Sequence, residues 1–339
     1  MTKAAELAKM GEVLTNSQIG GRRNIIINGA MEVAQRGTSA SSKTASDYYT
    51  CDRWRTEASG ATFNTSQQSN SASDMATTGA KHFLRMEVTT ANNNSGISQK
   101  IEAKNIRQFK GEKLTLSFYA KGTNPNGGSF DVVRQFDDGS TTSTQEKSSL
   151  TVTSSFVKYT YTFDYPDEGS VTMTDANAKM ALSFLQPNGD TSTNAWTLDI
   201  TSVQLEVGSK ATPFEHRSFG EELALCHRYF RRYPTTSYIA TLQAYSSSAT
   251  YGPLIQINPE MRASVSVSSS GNFRIFKSNS QTATNGEGAF SGLTRTQNSP
   301  FEVIISGGPT VDGASGLTAG HASVLSGTSG SYIDADAEL

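Results

Sequence analysis

Apolar and polar residues alternate along much of the chain between Asn24 and Phe214, and this two-residue period most limits how the chain can fold. It is clearest in LTLSF at 114–118, VKYTYTF at 157–163 and KMALSF at 179–184. Alternation puts every second side chain on one face of a β-strand, so that one face packs on a core and the other meets solvent. Turn sequences separate the runs: NPNGG at 124–128, DDG at 137–139, YPDEG at 165–169 and QPNGD at 186–190. The pattern predicts an antiparallel sandwich.

Four less regular segments bring the strand count to about eight, the number typical of a jelly roll. They are NIIINGAM at 24–31, DRWRTE at 52–57, KHFLRMEV at 81–88 and ISQKIEA at 97–103. The chain is 35% hydrophobic and 18% charged, a balance that suits a thin sandwich with polar loops. We therefore expect an all-β jelly roll over residues 24–217, with Trp54 and Trp196 in its core.

The last strand of this domain, WTLDITSVQLEV at 196–207, contains an irregularity. Its apolar residues change parity partway along, from Trp196, Leu198 and Ile200 to Val203, Leu205 and Val207. A β-bulge, which inserts one extra residue in a strand, produces such a change, so we predict a bulge at Thr201 and Ser202. Gly208 and Pro213 then end the pairing.

A helix is predicted directly after this strand, over SFGEELALCHRYFRRYP at 218–234. Ser218 and Glu221 have the spacing of a capping box, and Pro234 prevents continuation. Arg228, Arg231 and Arg232 would lie near the negative C-terminal end. We interpret the segment as a connector between two domains.

The two ends of the chain complete the predicted organisation. Residues 1–23 read as a short N-terminal helix and polar linker, in which Leu7, Met10 and Leu14 form one apolar stripe for docking or trimerisation. A stripe this short does not fold alone and could lie on the domain that follows, but the flexible polar link TNSQIGGRR at 15–23 favours an anchor. Residues 235–339 contain further strand-like runs and are predicted to form a second, smaller β domain.

Several functional classes find no support in the sequence. The net charge of −2 gives no drive towards nucleic acid, and the chain has no apolar run suited to membrane insertion and no signal peptide. The four histidines and two cysteines show no metal-ligand spacing, so Cys51 and Cys226 are predicted to be buried thiols. No catalytic motif is found. The acidic pairs Asp137–Asp138 and Asp167–Glu168 lie in predicted turns, where they are interpreted as turn formers instead of glycoside-hydrolysing carboxylates.

Binding is the better supported class, because exposed aromatic rings and polar side chains are the groups that hold sugars. Candidates in the second domain are Tyr238, Tyr245, Tyr251, Phe273 and Phe276. Each of these rings is individually more typical of the core of that domain than of a binding platform.

Two segments together resemble a known family. GRRNIIINGAMEVAQRGTS at 21–39 with YYTCDRWR at 48–55 is similar to the start of jelly-roll domains in tail-fibre proteins of tailed, particularly marine, bacteriophages. VQLEVGSKATPFEHRSFGEELALCHRYFRRY at 203–233 resembles their closing strand and exit helix. The resemblance implies a carbohydrate-binding-module-like jelly roll in a homotrimeric virion fibre whose N-terminus joins the particle. It implies no catalytic residues and no cofactor beyond a structural calcium, for which no ligand set stands out.

The sequence thus leads to an expected function and to alternatives. The first is a short trimeric tail fibre that docks on the phage tail through its N-terminus and adsorbs to host surface polysaccharide through a receptor-binding tip at 235–339. Because no shaft repeat follows the anchor, a capsid or baseplate decoration protein without glycan binding is the alternative. A polysaccharide depolymerase has only the acidic turns in its favour.

Overall fold

The computed structural model divides into two compact units, the first extending to Leu223 and the second from Ala224 to Glu338. The residues it describes are 23–91, 94–125, 128–140, 142–165, 171–187, 194–235, 238–244, 246, 250–256, 260–277, 288–291, 297–298, 302–305, 310–311 and 317–339. The predicted N-terminal helix, with Leu7, Met10 and Leu14, lies outside these residues. Within them, no helix is long and apolar enough to cross a membrane.

The first unit is a sandwich of two antiparallel sheets, as the alternation predicts. One sheet has six strands in the order β1-β3-β4-β11-β6-β9, and the other has five in the order β2-β5-β10-β7-β8. Their bounds are β1 Ser39–Lys43, β2 Arg55–Glu57, β3 Thr62–Ser69, β4 His82–Thr90, β5 Gly96–Glu102, β6 Lys113–Thr123, β7 Phe130–Asp137, β8 Ser143–Leu150, β9 Val157–Asp164, β10 Lys179–Leu185 and β11 Trp196–Val207. The short helices are α1 Ala72–Thr78 and α2 Ala103–Ile106, followed by a 3₁₀ turn at Arg107–Phe109.

The core between the sheets is built from the alternating residues. Both tryptophans are 1% exposed, which confirms their predicted place. Phe118 on β6 packs edge-on against Phe184 on β10 at 4.8 Å, joining the two sheets. Tyr161 on β9 stacks on Phe118 as well, while its hydroxyl donates to a backbone carbonyl at the sheet edge. An aromatic ring with a polar tip suits such a position.

The strand prediction for NIIINGAM was wrong. Residues 24–31 form turns, and Asn28 has a left-handed backbone with φ of 58°. Its side chain donates to the carbonyls of Val33 and Asp52 and accepts from the backbone N–H of Val33. Asparagine tolerates this conformation because its short amide can bond nearby backbone groups, and that local bonding replaces strand pairing here.

The bulge predicted in β11 is confirmed. Pairing between β11 and β6 shifts register between Thr201 and Gln204, and Ser202 has φ of 50°. Before the shift Ile200 is fully buried, and after it Val203 is fully buried, so both halves of the strand face the core.

The connector helix was predicted too long. Helix α3 spans Phe219–Cys226, and the capping box is present, because the hydroxyl of Ser218 accepts from the backbone N–H of Glu221 at 3.3 Å. Residues Phe230–Pro234 instead form strand β12, which pairs with Tyr332–Asp336. A strand more than ninety residues away in sequence overrides a local helix preference, which is weak by itself.

The second unit is also built from antiparallel strands, as predicted. A three-stranded sheet has the order β12-β22-β15, and an eight-stranded sheet has the order β18-β19-β14-β13-β21-β16-β17-β20. Beyond β12, the bounds are β13 Tyr238–Ala244, β14 Thr250–Gln256, β15 Ser266–Ser270, β16 Asn272–Lys277, β17 Gly288–Ser291, β18 Gln297–Asn298, β19 Glu302–Ile305, β20 Thr310–Val311, β21 Ala322–Gly327 and β22 Tyr332–Asp336. Phe273, Ile275, Leu325 and Ile333 are fully buried in its core.

Candidate functional site

A cleft of about 350 Å³ lies on the outer face of the six-stranded sheet in the first unit. Its floor consists of Ser117 and Tyr119 from β6, Lys158 from β9 and Ser202 from the bulge. Residues 76–79, at the end of α1, form one side, here called the helix wall. The other side, the loop wall, is formed by Pro213, Phe214 and His216.

Strand pairing fixes the floor. Tyr119 lies directly opposite Lys158 on β9 and opposite Thr201 on β11, so the three residues form one row across the sheet. The next residue after Thr201 is at the bulge, where the left-handed backbone of Ser202 lets its hydroxyl donate to the carbonyl of Thr78 at 2.8 Å. The bulge therefore ties the floor to the helix wall.

Helix α1 is held on the sheet at both ends. Near its start, Asp74 accepts a hydrogen bond from the ammonium of Lys121 at 3.0 Å, and Lys121 lies on the same strand as Tyr119. At its end, Gly79 adopts a left-handed φ of 73° and caps the helix. A Cβ at Gly79 would be 3.2 Å from Nε2 of His216, so the two walls approach each other here.

The loop wall is held by two buried side chains of β11, Gln204 and Glu206. The carboxylate of Glu206 is 1% exposed and accepts from the backbone N–H and the hydroxyl of Thr212, at 2.8 and 2.7 Å. The amide oxygen of Gln204 accepts from the N–H of Glu215 at 2.8 Å, and Glu215 itself accepts from the N–H of Asn24. Buried groups bonded in this way hold the loop wall in one position.

An ion pair with a buried carboxylate lies beside the cleft, on the same outer face. Arg85 of β4 forms a bidentate pair with Asp199 of β11, with N–O distances of 2.8 and 2.7 Å. Asp199 is 1% exposed. Burial raises the pKa of Asp199, although its hydrogen bonds with Arg85 act in the opposite direction. Lys121 reaches the same region and lies 4.3 Å from the centre of the Phe156 ring. This pair supports the part of the sheet that carries α1.

The lining of the cleft combines ring faces with hydrogen-bond donors. Tyr119 is half-buried, and Phe214 is packed edge-on against the imidazole of His216 at 4.9 Å between ring centres. Ser117 and Thr77 add hydroxyl groups, and Lys158 adds an exposed ammonium. The volume of the cleft falls near the lower limit of small-molecule pockets, which span roughly 300–1,000 Å³. Rings together with polar hydrogen-bonding groups suit a small amphipathic ligand.

The structure separates the predicted aromatic candidates. Tyr238 is 70% exposed and touches Phe276 edge-on at 5.7 Å, so these two rings do form a surface pair in the second unit. Phe273 is fully buried, so its selection as a surface platform was wrong; it belongs to the core. The backbone of Tyr251 pairs with Gln243, and Tyr245 lies outside the described residues.

The acidic turn at residues 137–139 is structural. Asp137 forms an ion pair with Lys179 at 3.1 Å. Asp138 accepts hydrogen bonds from the N–H groups of Ser140 and Thr142, which lower its pKa. A carboxyl whose pKa is lowered is a poor general acid. The second pair, Asp167 and Glu168, lies outside the described residues.

No ligand cluster is identified among the described residues for the structural calcium that the family resemblance implies. Among them, no group of three or more histidine, cysteine, aspartate or glutamate side chains could hold a metal ion. Cys51 and Cys226 are buried free thiols, as predicted, and burial raises the pKa of Cys51.

Sequence reasoning missed the cleft, because its floor and walls come from segments far apart in the chain. The stretch from Thr201 to Arg217 was interpreted only as a domain boundary, yet it supplies Ser202 and the whole loop wall. The parity change in β11 was the available signal, since bulges are common beside functional sites.

Comparison with solved structures finds neighbours among carbohydrate-binding modules and one phage tailspike. A CBM4 module is 20% identical over 37% of this chain and 84% of that chain, with a TM-score of 0.28. The CBM22-2 xylan-binding domain of Paenibacillus barcinonensis Xyn10C is 10% identical over 46% and 92%, with a TM-score of 0.32. The enzymatically active domain of bacteriophage CBA120 tailspike protein 4 is 12% identical over 55% of this chain and 21% of that chain, with a TM-score of 0.35.

The likeness to each of these proteins is one of fold. No protein-family model matches the sequence, and no curated protein matches it.

Proposed function

We propose that the protein binds a glycan in the cleft between the helix wall and the loop wall. The observation that carries the proposal is the row of Tyr119 and Lys158 on the floor of a cleft whose two walls are held by buried hydrogen bonds. A sugar ring has an apolar face that stacks on an aromatic side chain and hydroxyls that bond to polar groups around it. Fixed walls limit the conformational freedom that binding removes.

The proposed biological setting is a bacteriophage virion. The similarity of residues 21–39 and 203–233 to tail-fibre jelly rolls supports a short homotrimeric fibre, attached to the tail through its N-terminal segment and adsorbing to host polysaccharide. A capsid or baseplate decoration protein is the second candidate, because the sequence has no shaft repeat. We further propose that the protein binds without cleaving its ligand, since Asp137 and Asp138 serve the turn that contains them.

The binding proposal is tested with purified protein on an array of neutral and acidic bacterial polysaccharides. We expect Tyr119→Ala to weaken binding by about ten-fold, equivalent to about 1.4 kcal/mol, which is within the range for lost aromatic contacts. Tyr238→Ala is the matched control, because this exposed tyrosine lies in the other unit. If binding is lost only in Tyr238→Ala, the glycan site lies in the second unit and the proposal is wrong.

The virion setting has its own test. We expect light scattering to give the mass of a trimer, and gold-labelled antibody against the protein to mark the tails of intact particles. Labelling of the capsid would favour the decoration protein. A monomer that also fails to bind host cells would refute the tail-fibre proposal.

A further inference from the structure

The charge of the cleft indicates the class of glycan, an inference that rests on the proposed function. Lys158 is the informative residue, because it lines the cleft and, unlike several other lysines of the same domain, forms no ion pair with a described carboxylate. Five of those lysines form ion pairs with carboxylates: Lys104 with Glu102, Lys113 with Asp164, Lys121 with Asp74, Lys147 with Asp131 and Lys179 with Asp137.

Lys158 has no carboxylate partner among the residues that the structure describes. The contact of its ammonium is the backbone carbonyl of Thr212, at 3.5 Å, a neutral and distant acceptor. The side chain lies on the floor of the cleft directly beside Tyr119. Its positive charge is therefore available to a ligand that lies on the tyrosine ring.

The acidic residues near the two walls do not neutralise this charge. None of the described residues that line the cleft is an aspartate or glutamate. Asp74, on the helix that provides one wall, pairs with Lys121. Glu215, between two residues of the loop wall, accepts from the backbone N–H groups of Arg23 and Asn24. Both carboxylates are thus occupied by other groups of the protein.

The remaining polar groups of the lining can donate hydrogen bonds. Ser117 and Tyr119 carry hydroxyls, and His216 on the loop wall carries an imidazole, whereas the hydroxyl of Thr77 already donates to the carbonyl of Ser73. An ammonium surrounded by donors, with no carboxylate in the lining, favours a ligand with negative charge, because charge-assisted hydrogen bonds are stronger than neutral ones. A neutral sugar would leave the charge of Lys158 without a partner.

We propose that the cleft selects an acidic saccharide, with a uronate carboxylate held by Lys158 and the sugar ring placed against Tyr119. The walls limit the ligand to a short segment of a longer polysaccharide. Selectivity arises because a neutral sugar hydroxyl accepts a hydrogen bond from the ammonium, whereas a carboxylate also compensates its charge.

The test compares a panel of oligouronates, made of galacturonate, glucuronate, mannuronate or guluronate, with their methyl esters, which keep the sugar and lose the charge. Calorimetry on the full chain should show at least one oligouronate bound about ten-fold more tightly than its ester, with affinity falling as salt rises. Lys158→Gln should remove this difference, because the oligouronate should then bind no more tightly than its ester. Lys113→Gln is the matched control, since this exposed lysine lies on the same face and pairs with Asp164.

The outcomes separate this inference from the proposal on which it rests. If acid and ester bind the wild type equally and Tyr119→Ala weakens both, the cleft binds glycan but the inference about charge is refuted. If a sulfated neutral oligosaccharide alone gains affinity through Lys158, the uronate assignment is refuted. If no saccharide binds, or if binding is unaffected by Tyr119→Ala, the proposed function fails as well.

Discussion

Replacing Arg85 with methionine should strongly destabilise the first unit. Methionine keeps much of the side-chain volume but leaves the carboxylate of Asp199, which is 1% exposed, without the two bonds of 2.8 and 2.7 Å that it now accepts. Removing one partner of a buried pair costs about 3–5 kcal/mol, because a buried charge remains uncompensated. For a domain of this size, that loss corresponds to a fall in Tm of roughly 6–20 °C.

Tryptophan fluorescence makes the assay specific to the unit concerned. Both tryptophans of the chain, Trp54 and Trp196, are buried in the first unit, so urea titration followed by their emission reports on that unit alone. Lys113→Met is the matched control: its ion pair with Asp164 is exposed, and such pairs contribute about 0–1 kcal/mol. If both variants lose a similarly small amount of stability, the ion pair of Asp199 contributes no more than the exposed pair of Asp164, and the reasoning is refuted.

The loss of stability in Arg85→Met should also depend on pH. Burial raises the pKa of Asp199, so in the wild type ionisation of this carboxyl reduces stability as pH rises through that pKa. Arg85 opposes the rise, and its removal should raise the pKa further. The variant's deficit should therefore be small at low pH, where Asp199 is protonated, and should grow as pH increases. A deficit that is constant with pH would show that Asp199 is not its source.

Three further predictions concern the cleft and the acidic turn. Ser202→Val should reduce stability by about 1–2 kcal/mol, because a β-branched residue is strained at φ of 50°, whereas Ser202→Gly should lose mainly the bond to Thr78; urea titration distinguishes them. Glu206→Ala should weaken glycan binding more than Tyr238→Ala does, because Thr212 loses its acceptor and the loop wall is released; calorimetry measures this. Asp138→Ala should leave binding unchanged and lower stability only above the lowered pKa of Asp138, with the difference from wild type disappearing as pH falls through it.

The parts of the fold that could be predicted are those that local sequence determines. The apolar residues of β6, β9 and β10 alternate, and the bulge in β11 follows from the change of parity, so both were predictable. Strands β3 and β8 were not, because TFNTSQQS and STQEKSSL contain almost no apolar residues. They form because neighbouring strands supply their backbone hydrogen bonds.

The errors in the prediction have the same physical origin. Phe230–Pro234 continues a helical pattern in sequence, but pairing with β22 makes it a strand. Phe273 and Phe276 have opposite parity on β16, and only the arrangement of the second unit shows which of the two faces is buried. Tertiary contacts decide both cases, and one sequence does not reveal which distant segments will come into contact.

The cleft depends on distant contacts even more strongly. Lys158 meets Tyr119 because of strand register, and Phe214 faces α1 because Glu206 holds the loop wall. Nothing local in the sequence marks Lys158 as a lysine that lines a cleft and has no carboxylate partner among the described residues. This property becomes visible only when the ion pairs of the other lysines are known.

The most direct test of the central claim is a crystal structure of the full chain soaked with the oligouronate that binds best. We predict a saccharide in the cleft, with a sugar ring against Tyr119, a carboxylate within hydrogen-bond distance of Lys158 and contacts to Phe214 or His216 on the loop wall. A saccharide bound elsewhere, such as beside Tyr238 in the second unit, with none in the cleft, would contradict it.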